Sequence, residues 1–199
     1  MKQVLHVGCG AATIEKMTPG FRSGDWQEVR FDINPGVRPD IVGTITDMTA
    51  VPTDSVDAVY SSHNVEHVYA HEVPSVLREF LRVLKPGGFA VITCPDIESV
   101  AGQVAAGKLI DPLYQSPAGP ISALDIMYGH TPAIANGEVY MAHRTAFTAK
   151  TLSDHMMSAG FGVVGMRRRP QVYELWAIGT KGIADQEHVR GLMRDYCKG

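Results

Sequence analysis

What this chain of 199 residues has little of narrows its class first. Cysteine occurs only at Cys9, Cys94 and Cys197, far apart and with no C-x-x-C pair. That excludes a disulfide scaffold and a cysteine-based zinc finger, and it fits a reducing compartment. A basic surplus is also missing, with 18 Lys and Arg against 21 Asp and Glu for a formal charge of -3. General binding to nucleic acid or to an anionic membrane is therefore not expected. No apolar run approaches the ~20 residues of a membrane span. The stretch Met1 to Val7 is too short for a signal-peptide core, and glycines follow at once. Internal repeats and low-complexity tracts are absent. The expectation is one globular domain over residues 1–199, soluble and cytoplasmic.

What is present alternates between short apolar runs and helical periodicities. Val4-Leu5-His6-Val7 is a strand-like run broken by Gly8-Cys9-Gly10, with a helix expected from about Ala11. Glu28-Val29-Arg30-Phe31 alternates at period two up to Asp32, ahead of the turn residues Asn34-Pro35-Gly36. Asp40-Ile41-Val42, Val56 to Ser61 and Phe89 to Cys94 supply three further strands. The last of these carries no charge, as a strand covered on both faces should. Between the last two, Val73, Val76, Leu77, Phe80, Leu81 and Leu84 form one apolar helical stripe, opened by Pro74 and closed by Lys85-Pro86-Gly87-Gly88. Ile97, Val100, Ala101, Val104 and Ala105 form a second stripe. This rhythm predicts an α/β fold with a mainly parallel sheet. Towards the end, a helix closed by Gly160 precedes two strands that meet at Arg169-Pro170, which predicts an antiparallel hairpin at the sheet edge. Val189, Leu192, Met193 and Tyr196 mark a last helix. Residues of about 108–144 fit neither period and are rich in Pro, Gly and Tyr. An irregular stretch of that length is read as a lid inserted over the site.

In an open α/β sheet, ligands sit outside the carboxyl ends of the strands. Four segments fall there. Gly8-Cys9-Gly10 lets the backbone approach a ligand closely. Asp32, ending the second strand, can accept from both hydroxyls of a ribose and would repel a 2'-phosphate. Asp47-Met48 and Ser62-His63-Asn64-Val65-Glu66-His67 are the other two. The dinucleotide fingerprint G-x-G-x-x-G fails because its last position is Thr13, so a nicotinamide-dependent dehydrogenase is a minor reading.

These residues together resemble the class I S-adenosylmethionine-dependent methyltransferases, of the small type 11 kind. The resemblance rests on Val4 to Gly10, Asp32, Thr46-Asp47-Met48, Ser55 to Tyr60, Glu66-His67-Val68, Leu77 to Gly88 and Ala159-Gly160-Phe161. It spans residue 4 to about residue 180. It implies a Rossmann-like, doubly wound sheet of seven strands in the order 3-2-1-4-5-7-6, with strand 7 antiparallel. It also implies S-adenosyl-L-methionine as cofactor and S-adenosyl-L-homocysteine as product. Gly8 and Gly10 would line the amino-acid and ribose portion, and Asp32 would hold the ribose hydroxyls with Ile33 beside it. Asp47 would meet the adenine amino group with Met48 packing on the ring. His63 and Asn64 would lie beside the transferable methyl. Two departures stand out: the family often has an acid where His6 stands, and a third glycine where Ala12 stands.

The sulfonium is already activated, so the chemistry needs in-line positioning and desolvation, with a base near neutral pKa for an oxygen or nitrogen acceptor. His143 and His63 rank first as that base, then His130. Tyr114, Tyr128, His130 and His143 are the expected acceptor contacts. For each histidine a structural role competes: His67 capping or packing, His71 on an exposed turn, His155 and His188 on helix surfaces. The lid tyrosines could equally form the lid's own small core, and Arg167-Arg168-Arg169 reads as a solvated sheet edge. Trp176 is expected to be buried. The expected acceptor is a small molecule or a sugar or glycan, with O-methylation, and a second copy of the chain is a conceivable partner. No metal ligand set is assigned. Two other classes remain open. His63-Asn64-Val65-Glu66-His67 matches H-x-x-E-H, a zinc-hydrolase motif that needs the segment helical and a third ligand nearby. A non-catalytic cofactor-binding module would keep the same glycines and Asp32.

Overall fold

The computed structural model describes residues 1–183 and 185–197. In chain order the elements are β1 (Lys2–Val7), β2 (Trp26–Asp32), β3 (Ile41–Val42), β4 (Val56–Ser62), α1 (Val73–Val83), β5 (Leu84–Pro95) and α2 (Ile97–Ala105). Then come β6 (Pro112–Ser116), β7 (Gly119–Ser122), α3 (Ala123–Tyr128), α4 (Thr131–Ala135), α5 (Ala149–Ala159), β8 (Val164–Arg169), β9 (Glu174–Thr180) and α6 (Gln186–Tyr196). The main sheet has seven strands in the order β3-β2-β1-β4-β5-β9-β8. β1 to β5 pair in parallel, while β9 runs antiparallel to both β5 and β8. Setting aside the separate β6-β7 hairpin, this is the order 3-2-1-4-5-7-6 with strand 7 antiparallel.

Each face of the sheet has its own core. On one face α1 and α5 cover Leu5, Phe31, Val59, Ala90 and Ile92. Pro74 sits in the first turn of α1, where its missing N–H costs nothing, and Val73, Val76, Leu77, Phe80 and Val83 face inward. The stripe does not extend to Leu84, whose extended backbone already begins β5. Leu77 is 1% exposed, so truncation to alanine would cost about 2–5 kcal/mol. On the other face, the helix expected from Ala11 does not form. The chain makes two short 3-10 turns instead, Ile14–Lys16 and Pro19–Arg22. The Ile14 N–H is taken by the Glu28 carboxylate at 2.8 Å, and Thr18-Pro19-Gly20 interrupts any continuation. α6 returns to cover that face, with Tyr196 packed on Phe21 and Phe89 at ring separations of 4.7 and 4.8 Å. Trp176 is buried in this core as expected.

Two further expectations need correction. Residues 108–144 are not irregular: they form the β6-β7 hairpin and the short helices α3 and α4, with Ile121, Ala123 and Ile126 packed on Val100 of α2. The three arginines are not simply a solvated edge. Arg168 pairs with the fully buried Asp96 at 2.8 Å, Arg169 with Glu174 at 3.0 Å, and Arg167 donates to the Cys197 carbonyl at 2.9 Å. No helix among the described residues is long and apolar enough to cross a membrane.

Candidate functional site

β1, β2 and β4 end side by side, so their loops converge at one edge of the sheet. Gly8 and Gly10 both have positive φ, +63° and +52°. The N–H groups of Gly8 and Cys9 both point at the Phe31 carbonyl, which folds the loop back onto β2. A β-carbon on Gly8 would stand 2.4 Å from Asn64 Cγ, whereas one on Gly10 would meet nothing within 4 Å. Gly10 thus borders open space, and Gly8 is held hard against Asn64. The Asp32 carboxylate accepts from Gly10 N at 2.7 Å and from Asn34 N at 2.8 Å, leaving further lone pairs for a ligand. Ile33 beside it is 44% exposed.

Glu28 and Arg30 were missed in the sequence reading. Strand alternation puts residues 28, 30 and 32 on one face of β2, which was the available signal. Arg30 donates to the carbonyls of Gly10, Ala12, Val37 and Arg38, clamping the glycine loop to the loop after β2. Glu28 accepts from Ile14 N, and His6 Nδ1 lies 2.7 Å from its other oxygen. Burial lowers the His6 pKa against the opposing pull of Glu28. A carboxylate thus lies against the loop from β2, where the resembling family often has one on β1.

The third segment divides. Asp47 faces outward, with Oδ1 accepting from Thr49 N at 3.1 Å. Met48 is fully buried in the core, its N–H bonded to Glu79 and its carbonyl to Arg82. Its side chain therefore fills the core beneath this turn.

Around the end of β4, five titratable side chains crowd together: His63, Glu66, His67, His143 and Glu174. His63 has φ +49° and its N–H closes onto the Thr93 carbonyl. Its ring lies 3.0 Å from Glu174 Oε1 through Nε2, and 3.4 Å from Glu66 Oε1 through Nδ1. Burial alone would lower its pKa, but the two carboxylates raise it to about 10. Half of the ring is exposed, so water screens part of that attraction. His63 is therefore a held imidazolium, a poor proton acceptor at neutral pH. Glu174, from the far strand β9, is also gripped by Arg169 and by Trp176 Nε1 at 2.6 Å.

Glu66 is 1% exposed, and neither carboxylate oxygen has a hydrogen-bond partner. Burial pushes its pKa up, yet His63, His67 and His143 outweigh that and hold it below the ordinary value. The Glu66 carbonyl accepts from Arg144 N and Thr145 N, which fastens the returning insertion to the sheet. His67 lies between two carbonyls, with Nδ1 3.1 Å from Ala142 O and Nε2 3.2 Å from His63 O. His143 Nδ1 donates to Ile126 O at 2.7 Å, and burial lowers its pKa. Its Nε2 lone pair is then free, and the ring stands 4.9 Å from His67.

His130 is not brought to this group: it caps α4, and its side chain makes no hydrogen bond or ion pair among the described residues. Tyr114 stacks on Tyr173 with ring centroids 6.3 Å apart, and Tyr128 is 60% exposed. The H-x-x-E-H reading fails as a helical motif. Only Val65–His67 form one 3-10 turn, His63 has left-handed backbone, and its ring turns to Glu174. An open cavity of about 490 Å³ lies beside β4 and β9, lined by Lys16, Arg22, Tyr60, Ser62, Glu174 and Trp176.

The residues fit S-adenosylmethionine on the structure's own terms. The Asn64 amide nitrogen is buried without a partner against Gly8, Gly10 leaves room where a side chain would stand, and the Asp32 carboxylate keeps acceptor capacity beside them. This seven-stranded fold is similar to that of S-adenosylmethionine-dependent methyltransferases of solved structure. Residues 5–92 match the sequence model of the methyltransferase domain family, a family that implies that cofactor. Among solved structures, the chain is similar to a SAM-dependent methyltransferase from Methanosarcina mazei, at 15% identity and TM-score 0.60, covering 90% of this chain and 92% of that one. A SAM-dependent methyltransferase from Archaeoglobus fulgidus aligns at 15% identity and TM-score 0.55, covering 90% and 86%. An O-methyltransferase family protein from Burkholderia thailandensis aligns at 14% identity and TM-score 0.59, covering 92% of this chain and 52% of that one. The chain thus spans about half the length of this last neighbour. No curated protein matches the sequence.

Proposed function

We propose that this chain is an S-adenosylmethionine-dependent methyltransferase that moves the methyl group to an oxygen of a small-molecule or sugar-like acceptor. The observation that carries the donor half is the Gly8–Asn64–Asp32 arrangement, in which a bare backbone, an unpartnered amide and a carboxylate converge at neighbouring strand ends. The bound donor supplies an activated sulfonium methyl. The chain's own part is to position and to exclude water, which is worth up to ~7–11 kcal/mol when both reactants are held in line. Asp32 and Ile33 would take the ribose and one flank of the adenine, Asp47 the adenine edge, and Asn64 the methionine end. On the acceptor side, Tyr60 and Trp176 give the cavity aromatic walls, while Ser62, Glu174, Lys16 and Arg22 offer both donors and acceptors. That mixture suits a hydroxylated ring better than a lipid tail. His143, with its pKa lowered and Nε2 free, is the histidine that can accept a proton from an acceptor hydroxyl.

Calorimetric titration with S-adenosylmethionine and S-adenosylhomocysteine, with Asp32→Ala in parallel, tests the donor half. Micromolar binding that collapses in the variant supports it, and no binding by either compound overturns it. Transfer of a labelled methyl across sugars, phenols and amines tests the acceptor. Product only on amines would overturn the oxygen reading, and binding without product on any acceptor would favour a non-catalytic module.

A further inference from the structure

Glu66, His67 and His143 each offer a ligand atom, and these atoms lie within 4.8 Å of one another. They come from two separate segments, the turn after β4 and the end of the 108–144 insertion, which meet through the Glu66 carbonyl and the Arg144 and Thr145 N–H groups. We propose that they bind one divalent transition-metal cation between the strand ends and the insertion. The independent sign of a missing ligand is the Glu66 carboxylate: it is 1% exposed and has no hydrogen bond to either oxygen. A buried carboxylate left this way forfeits its hydration, and the 3.4 Å approach of His63 is longer than a well-formed hydrogen bond.

The donor chemistry selects the cation. Two imidazoles and one carboxylate suit Zn²⁺, Mn²⁺, Fe²⁺ or Co²⁺, whereas Mg²⁺ and Ca²⁺ prefer all-oxygen sites. His143 already has the arrangement of a ligating histidine: Nδ1–H is fixed to the Ile126 carbonyl, which orients the ring and presents Nε2. His67 keeps one of its two carbonyl contacts and exchanges the other for the cation. Bonds of about 2.0–2.2 Å place two ligand atoms no more than about 4.4 Å apart, so a small turn of the rings closes the set. Three protein ligands leave coordination positions open, and His63 remains outside, on Glu174. On the methyltransferase reading, and resting on it, an acceptor oxygen would bind at those open positions. There the cation, in place of the His143 Nε2 lone pair it occupies, would ease loss of the hydroxyl proton.

The test uses the full chain, stripped with a chelator and titrated with Zn²⁺ and Mn²⁺ by calorimetry and with Co²⁺ by visible absorption, without any methyl donor. One equivalent should bind, roughly tenfold or more weakly in Glu66→Gln and in His143→Ala, because even an outer-shell partner is worth ~10–100-fold. His71→Ala, an exposed histidine one turn further along, should bind as the wild type does. Glu66→Gln is isosteric, and thermal unfolding of both variants checks that they fold. The proposal is overturned if none of the three cations saturates at one equivalent, or if binding is the same in the wild type and in both variants. S-adenosylhomocysteine titrated separately distinguishes the two readings. A chain that binds it and no cation refutes only the cation site, and one that binds cation but no S-adenosylhomocysteine refutes only the methyltransferase reading.

Discussion

Asn64 occupies the space that any side chain on Gly8 would need, with its amide atoms 2.4 to 2.8 Å from the missing β-carbon. Gly10, two residues on, has the same left-handed backbone but open space. The two glycines therefore separate backbone strain from collision. Alanine at either position pays about 1–2 kcal/mol for its φ. Only Gly8→Ala also collides, so it should destabilise more in urea unfolding and lower S-adenosylhomocysteine affinity more. In Gly8→Ala/Asn64→Ala the collision is gone, and the double variant should be more stable than the sum of the two losses. Equal losses in the two glycine variants would show that Asn64 is free to move aside.

Asp96 and Arg168 make a second, asymmetric pair. Asp96 is fully buried at the start of α2 and accepts from Glu98 N, Ser99 Oγ and Arg168 Nε, while the Arg168 side chain is 38% exposed. Removing the arginine leaves the carboxylate two other donors, and removing the carboxylate strips a helix cap and a buried network together. Asp96→Ala should cost about 2–4 kcal/mol and Arg168→Ala about 1–2 kcal/mol by equilibrium unfolding. The reverse order would mean that the arginine, not the cap, carries this corner.

These contrasts show what could be read in advance. The strand plan was legible because runs such as Phe89 to Cys94 are apolar without interruption, and because the Val73-to-Phe80 spacing admits only one helical face. Gly8, Gly10 and Asp32 were legible because their spacing fits consecutive strand ends. The two short 3-10 turns after Gly10 were not. Their shape depends on Glu28 taking the Ile14 N–H and on α6 arriving from the far end of the chain to cover Phe21. Helices of five and six residues such as α3 and α4 are too short to leave a period. Glu174 was invisible as a partner of His63, 111 residues away, until the antiparallel β9 brought it there.

Cys9, Cys94 and Cys197 are all free and buried, and burial raises each thiol pKa, that of Cys197 to about 12. The thiolate is the reactive form, so none of them should be a nucleophile in the folded protein. Ellman's reagent at pH 8 should find almost no thiol in the native chain and all three after urea. Rapid labelling of Cys9 in the native state would show instead that the glycine loop opens.

Asp125 holds the N-terminal turn of α3. It accepts from Ser122 N and Oγ and from Thr131 N, completing a capping box and joining α3 to α4. Burial would raise its pKa, but these donors outweigh it and lower the pKa from 3.8 to about 2. A carboxyl whose folded pKa is depressed adds stability above its unfolded pKa and loses it as pH falls through the folded one. The Asp125 contribution should therefore be complete above about pH 4–5 and gone near pH 2. Asp125→Asn keeps the shape and removes the charge. Its Tm should lie below that of the wild type from pH 5 to 7, and the gap should close as both are taken towards pH 2. A gap that stays constant across this range would mean that the carboxylate is not ionised in the cap, and that shape alone holds α3 against α2.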